Sequence, residues 1–244
     1  MLKIDLHIHT VHSGHAYGTF YDVIKEAARK KMKMIAITDH GPTLLGSTSR
    51  LHFGMGIRAP KVYKGVKILW GCESDPINAS GTLDTSEKNM KKLDILLVGF
   101  HEPTPFKDLG KEKNTEMLIK CFKKNKPHIF THPSRMMYPY NLEKVCQAAC
   151  DNDIMLEVNL AELNYVDREP AKEREKRLDM IKKTVDIARK NKKKMILNSD
   201  AHFLHEIGDD KILKKYMKRI GLTKDMIINN YSKELMKILK RKLA

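Results

Sequence analysis

A chain of 244 residues is long enough for one large domain with a substantial core, and at 41% hydrophobic it is no disordered or low-complexity polymer. No apolar run approaches the roughly 18 residues of a membrane span, and the start Met1-Leu2-Lys3-Ile4-Asp5 lacks the apolar core of a signal segment. The net charge of +16 favours an anionic substrate or nucleic acid, yet the basic residues are scattered over helical stretches (111–126, 174–194, 211–241), the pattern of solvated faces and not of one nucleic-acid groove. Cys72, Cys121, Cys146 and Cys150 form no Cys-x-x-Cys pair, and the last two sit one helical turn apart as packing residues would. A reduced, cytoplasmic protein is expected, with no membrane association.

Along the chain, apolar strands and amphipathic helices alternate. Residues 2–9 alternate apolar and polar with the period of a strand. A polar, Gly-containing loop follows, and Thr19 caps a helix reaching about residue 31, with Val23, Ile24, Ala27 and Ala28 on its apolar face. Strand two covers 32–38 and ends at Asp39-His40-Gly41. A long loop, 42–58, carries His52 and Arg58 and shows no clear periodicity. Strand three, 66–72, runs into Glu73; a helix near 86–92 precedes strand four, 95–99, which ends at His101. The second half continues with helix 114–124, strand 128–130 ending at His132, helix 141–150, strand 154–158 and a long basic helix 168–191. Strand seven, 195–197, ends at Asn198-Ser199-Asp200-Ala201-His202; helices follow at 210–220 and from 232 to the C-terminus, with a turn from Thr223 between them. Seven short apolar strands separated by helices imply parallel pairing through right-handed crossovers, in a doubly wound sheet or a closed (β/α) barrel. No Gly-x-Gly-x-x-Gly or P-loop follows any strand, so the nucleotide-binding doubly wound folds lose their signature. No repeat or linker divides residues 1–244, which read as one domain.

Chemistry-bearing residues collect at strand ends. His7, His9, His40, Glu73, His101, His132, Asp200 and His202 all stand where a strand gives way to a loop, the end at which parallel barrels carry their sites. Imidazoles and carboxylates without thiolate suit zinc, manganese or iron and argue against a Cys-rich structural zinc site. Asp200-x-His202 repeats the spacing of His7-x-His9. The donors are too many for one ion; two or three are needed to use them.

Asp5-Leu-His-Ile-His-Thr10, Ile37-Thr-Asp-His40-Gly, Gly71-Cys-Glu73, Gly99-Phe-His101, Thr131-His132-Pro133 and Ser199-Asp200-Ala-His202 resemble, in order, the motifs of the polymerase and histidinol phosphatase (PHP) superfamily. The resemblance implies a distorted seven-stranded (β/α)7 barrel with a trinuclear metal cleft at the C-terminal ends of its strands. Thr10-Val-His-Ser13-x-His15-Ala-Tyr17, Ile37-Thr-Asp-His-Gly-Pro42 and Gly99-Phe-His-Glu-Pro103 are similar to the small stand-alone bacterial phosphatases with three zinc ions. Carried over, His7, His9, Glu73 and Asp200 hold one ion; Glu73 bridges to a second, held by His101 and His132; His15, His40 and His202 hold the third.

Such ions lower the pKa of bound water toward neutrality and neutralise phosphoryl oxygens. The expected reaction is hydrolysis of a small phosphorylated metabolite by metal-bound hydroxide, with Asp200, Glu73 and His101 as the residues on which catalysis turns. No Cys or Ser nucleophile is indicated. Arg58 and Arg135 are candidates for gripping phosphate and His52 for protonating a leaving group; His12 is a spare histidine, and His128 and His205 read as structural. A nuclease or nucleotide-directed phosphoesterase is the alternative that +16 favours, and a metal-stabilised, non-catalytic scaffold is a third reading. Basic residues forming a channel around the cleft favour the nuclease; a closed pocket with one or two arginines favours the metabolite.

Overall fold

Strand β1 (Ile4–Ile8) is buried along its whole length and pairs in parallel with β2 (Met34–Ile37), the first of a series of parallel neighbours. The computed structural model describes residues 1–241 and 243. After β2 come a short helix α2 (Arg50–Gly54) and a two-residue strand β3 (Val62–Tyr63), then β4 (Val66–Ser74), β5 (Ile95–Val98), β6 (Ile129–Phe130), β7 (Met155–Asn159) and β8 (Ile196–Asn198). The order β1-β2-β4-β5-β6-β7-β8 is parallel throughout, so the seven expected strands form the barrel wall. The extra strand β3 folds back antiparallel on β4 through Lys64 and Gly65, both at positive φ as a tight hairpin turn requires.

The barrel closes imperfectly between β8 and β1. One bridge, Ile8 to Ala201, and the bond from His9 N to Ala201 O (2.9 Å) join the top of the seam. Lower down, the Asn229 amide stands in for a strand: Nδ2 donates to Ile4 O and Leu197 O, and Oδ1 accepts from Leu197 N. Those side-chain bonds satisfy backbone groups that a wider gap would orphan. The interior is filled by alternate strand residues (Ile4, Leu6, Met34, Ala36, Leu69, Ile95, Leu97, Ile129, Met155, Ile196), and α9 (Ser232–Leu239) adds Leu235 and Leu239 to this cluster. Outside, α1 (Phe20–Arg29) packs Val23, Ile24 and Ala27 on β2 and β4, while a larger cluster unites α4 (Lys111–Asn125), α5 (Leu142–Asp151) and α7 (Ala171–Lys190) with β5 to β8. Strands covered on both faces explain the continuous apolar runs.

The structure departs from the sequence expectation at several boundaries. The long helix expected at 168–191 is α7, preceded by a separate helix α6 (Leu160–Arg168) that begins directly on β7. Asn159 caps α6 by accepting from Glu162 N (2.8 Å), and Pro170 holds Glu169 extended, which breaks the two helices apart. Helix α4 starts at Lys111, three residues early, from Gly110 at φ 82°. Two short helices complete the chain, α3 (Glu87–Met90) and α8 (Lys211–Tyr216), the latter shorter than expected. Helix α9 ends at Leu239, and of the expected run to the C-terminus residues 242 and 244 lie outside the described ones. All four cysteines are buried and free. Among the described residues no helix is long and apolar enough to cross a membrane.

Candidate metal centre

At the C-terminal ends of six barrel strands, nine side chains converge: His7 and His9 from β1, His15 from the loop after it, His40 after β2, Glu73 from β4, His101 after β5, His132 after β6, and Asp200 and His202 after β8. Glu73 lies at the middle. Its Oε2 is 3.2 Å from His7 Nε2, 3.4 Å from His9 Nε2 and 3.1 Å from His40 Nδ1. Its Oε1 is 3.0 Å from His132 Nε2 and 3.4 Å from His101 Nε2. Asp200 Oδ1 lies 3.1 Å from His9 Nε2 and 3.5 Å from His7 Nε2. His202 Nε2 stands 2.9 Å from His15 Nε2. Gly99 is required by close approach: a Cβ there would lie 2.0 Å from the His101 ring. His132 (φ 29°) and Asp200 (φ 54°) occupy the left-handed region, a strain that marks built sites.

The far side of four of the imidazoles is held by an acceptor. Glu157 Oε1 takes the His7 Nδ1 proton (2.9 Å), Asp75 takes that of His101 (3.0 Å), and the Asp200 carbonyl takes that of His202 (2.9 Å). Ser13 Oγ donates to Asp39 Oδ1 (2.7 Å), so toward His9 Nδ1 (2.9 Å) it must accept. These bonds place the proton on Nδ1 of four rings and turn their Nε2 lone pairs inward. The inward atoms of His7 and His9 then meet without a donor between them, Nε2 to Nε2 3.0 Å, and His101 Nε2 stands 3.0 Å from His132 Nε2.

That is the observation by which a cation can be tested. His40 Nδ1 and Glu73 Oε2 are both buried without a hydrogen-bond partner and face each other 3.1 Å apart. Three donor groups, His7-His9-Asp200, His40-Glu73-His101 and His9-His40-His202, each bring their atoms within 4.8 Å of one another. Lone pairs gathered in a buried space with no donor to satisfy them fit divalent cations, and the imidazole-carboxylate set fits zinc, manganese or iron. Electrostatics agree. Burial works against the charged forms of Glu73 and Asp200, but the surrounding histidines, His7 first, hold both well below the usual carboxylate range. Burial likewise opposes charge on His101, and Asp75 and Glu73 outweigh it, raising its pKa to about 9; His7 is raised in the same way by Glu73, Glu157 and Asp200. Burial and His9 instead push His202 down to about 4. In the ion-free chain protons therefore occupy part of the space that ions would take, and the two compete for the same lone pairs.

The centre opens into a cleft of about 420 Å³. Of the three residues expected to contact substrate, only Arg135 lines it; its guanidinium lies 5.9 Å from the centroid of Tyr165. Arg58 is exposed at the end of a 3-10 turn (Met55–Arg58) and is not among the lining residues. His52 turns away too: its Nε2 lies 3.2 Å from Asp39 Oδ2, and its ring packs on His12 and Trp70 beside a second cavity. His205 borders the cleft, whereas His128 is buried far from it, accepting from Leu96 N. Sequence reasoning missed Glu157, Asp75 and Asp39 as the carboxylates that orient the imidazoles. Glu157 had a signal, a lone acid within the apolar run 154–158, and Asp39 and Asp75 stand within two residues of donors.

Comparison with known proteins follows the same geometry. The PHP domain model matches residues 5–239. A probable phosphatase of Clostridium botulinum is 32% identical over 239 residues, covering 98% of this chain and 95% of that protein. Among solved structures, histidinol phosphate phosphatase from Lactococcus lactis, complexed with zinc, L-histidinol and phosphate, superposes with a TM-score of 0.55 at 15% identity, over 90% of this chain and 94% of its own. A Listeria monocytogenes protein named as a candidate histidinol phosphatase reaches 0.59 at 16% identity, over 87% and 99%. The structural likenesses concern the fold, while the family match spans the strand-end donors from Asp5 to His202. The chain is a member of the PHP domain family.

Proposed function

We propose that this chain is a metal-dependent phosphatase that hydrolyses a phosphomonoester of a small metabolite, as a single domain of the cytoplasm. The observation that carries the reading is the inward convergence of unsatisfied donors at the floor of a cleft whose wall bears Arg135. His7, His9 and Asp200, with Glu73 Oε2, would hold one ion; Glu73 Oε1, His101 and His132 a second; His15 and His202 a third, with His40 placed between the first and third sets. Zinc is the preferred ion, supported by the zinc in the Lactococcus lactis structure, with manganese or iron sharing the same ligands. When bound, such ions supply an acidified water and neutralise phosphoryl oxygens.

The chain's own residues do the rest. Glu73 joins two donor sets through its two oxygens, so its position fixes their spacing. Thr131 Oγ1 donates to Glu73 Oε1 (2.6 Å) and Asn159 Nδ2 to Asp200 Oδ2 (3.1 Å), which orients both carboxylates. Arg135 offers a planar pair of donors to phosphate oxygens at the cleft wall. Glu102, Glu206 and Asp209 also line the cleft, so it is not the basic channel that a nuclease would favour.

The test is phosphate release from p-nitrophenyl phosphate by zinc- or manganese-reconstituted protein, with Asp200→Asn beside it. Release that the substitution reduces at least a hundredfold is expected. No release by protein shown to hold its ions would overturn the phosphatase reading and put oligonucleotide cleavage first.

A further inference from the structure

Helix α6 presents one face to the cleft: Leu160, Ala161, Asn164, Tyr165 and Arg168, at helical spacing, all line it. The face rises from the metal centre, since Asn159, the residue that caps α6, bonds to Asp200. From Ala161 to Arg168 the helix climbs roughly 10 Å. Two cations stand along this climb: Arg135 against the ring of Tyr165, and Arg168 nearly one turn farther out. Among the described residues neither has a carboxylate within ion-pair distance; of the acids on and just after α6, Glu162 lies 3.8 Å and Glu169 3.0 Å from Arg177, and Asp167 pairs with Lys215. Across the cleft the acids are partly engaged. Glu206 accepts from the backbone of His202 and Phe203, and Asp209 from Lys211, while Glu102 is exposed.

We infer that α6 carries a subsite for a second anion, with Arg168 as its cation, so that the substrate is a phosphomonoester bearing another carboxylate or phosphate about one sugar length from the scissile group. The inference rests on the phosphatase reading above and deepens it. One phosphate at the floor can engage Arg135, whose guanidinium lies against Tyr165; Arg168 stands nearly one helical turn beyond Tyr165 on the same cleft-lining face. Arg168 is exposed on the cleft face and stays hydrated until a ligand arrives, and among the described residues no carboxylate forms an ion pair that would neutralise it.

The experiment compares matched pairs of probes built on the same six-carbon sugar, with one short cationic probe beside them. The probes are glucose 6-phosphate against 6-phosphogluconate, which adds a carboxylate at the far end, fructose 6-phosphate against fructose 1,6-bisphosphate, which adds a phosphate, and phosphoethanolamine as a cationic probe. A charge-assisted contact predicts a ten- to hundredfold higher kcat/KM for at least one doubly anionic probe over its partner. In R168A that ratio should fall toward one, mainly through KM, and R168K should restore part of it. The two arms tell carboxylate from phosphate. Equal kcat/KM within each pair, an R168A effect of the same size on singly and doubly charged probes, or preference for phosphoethanolamine would overturn the subsite. Loss of turnover for every probe, p-nitrophenyl phosphate included, would instead remove the phosphatase reading and this inference with it.

Discussion

Glu157 offers the most direct test of how the centre is built. The carboxylate is 2% exposed and accepts four bonds: Oε1 from His7 Nδ1 (2.9 Å) and Asn198 Nδ2 (2.8 Å), Oε2 from His132 N (2.9 Å) and Asn159 Nδ2 (3.0 Å). Glutamine keeps the shape but only one oxygen. Whichever way its amide turns, two buried donors face an NH2 group. Flipping Asn198 to compensate would break its bond from Leu6 N (2.8 Å), and flipping Asn159 would break its cap on α6. Two orphaned donors cost roughly 2–6 kcal/mol at about 1–3 kcal/mol each, a fall in Tm of roughly 5 to 20 °C for a chain of this length. Melting in the presence of a chelator isolates this term. A second effect concerns ions: without the carboxylate, His7 is less firmly held in the tautomer that points Nε2 inward, and affinity should drop about ten- to a hundredfold. Ions per chain, measured by mass spectrometry after dialysis against buffered zinc, read this out. Glu143→Gln, an exposed acid on α5 paired loosely with Lys183 (3.7 Å), is the control and should stay within about 0.5 kcal/mol of the parent. If E157Q melts within about 2 °C of the parent without ions and binds zinc equally well, Glu157 is not the clamp described.

Two further outcomes test the frame. Thr19 and Asp22 form a reciprocal cap on α1, Thr19 Oγ1 accepting from Asp22 N (3.2 Å) and Asp22 Oδ2 from Thr19 N (3.0 Å); T19A should cost about 1 kcal/mol, a Tm shift of roughly 2–4 °C by calorimetry. His128 predicts a pH dependence. Burial first, then Arg241, push its pKa down to about 4, and its Nδ1 must stay unprotonated to accept from Leu96 N (3.1 Å). With the folded value below the unfolded one, the unfolded chain binds more protons between about pH 4 and 6.5, so this contribution is full above 6.5 and lost as pH falls through that window. The loss is about 3 kcal/mol. Urea unfolding at pH 7.5 and 4.5 should show H128N, whose amide oxygen can still accept from Leu96, losing less on acidification than the parent; equal losses would refute the assignment.

The strands and the donors were legible because both are written locally. A parallel strand covered on two faces is an uninterrupted apolar run, and a donor stands within three residues of its end; His101 and His132 follow β5 and β6 in this way. The seam between β8 and β1 was not legible, since it depends on the Asn229 side chain reaching two strands distant in sequence. Helix α6 escaped notice for a different reason: it starts with no loop after β7, and its cleft face mixes Leu160, Asn164, Tyr165 and Arg168 without amphipathic contrast. Arg58 looked as well placed as Arg135, but the chain between β2 and β4 carries it outward to an exposed turn. Sequence distance from a motif does not measure spatial distance when a loop of that length intervenes.

The buried acids around the centre divide into two kinds, and the division explains the motifs. Asp5 accepts from Ser199 N (3.0 Å), Ser199 Oγ (2.5 Å) and Gly208 N (2.9 Å), and Asp39 from Thr10 N (2.7 Å), Thr10 Oγ1 and Ser13 Oγ. Glu157 takes four protein donors. These carboxylates are satisfied by the chain alone, so their charge serves the frame. Glu73 is buried as deeply but leaves Oε2 without a donor, and the Asp200 oxygen that faces His7 and His9 meets ring nitrogens whose lone pairs point toward it. The pairing recurs in three of the motifs: Asp5 with His7, Asp39 beside His40, Ser199 beside Asp200. One residue ties the strand end to its neighbour while the other is left in need of a partner. Moving Asp5 or His7 by one position along β1 would turn it to the opposite face of the strand, and Asp200 needs its left-handed backbone (φ 54°) to reach the centre, which is why the spacing, and not merely the composition, of these segments specifies a site.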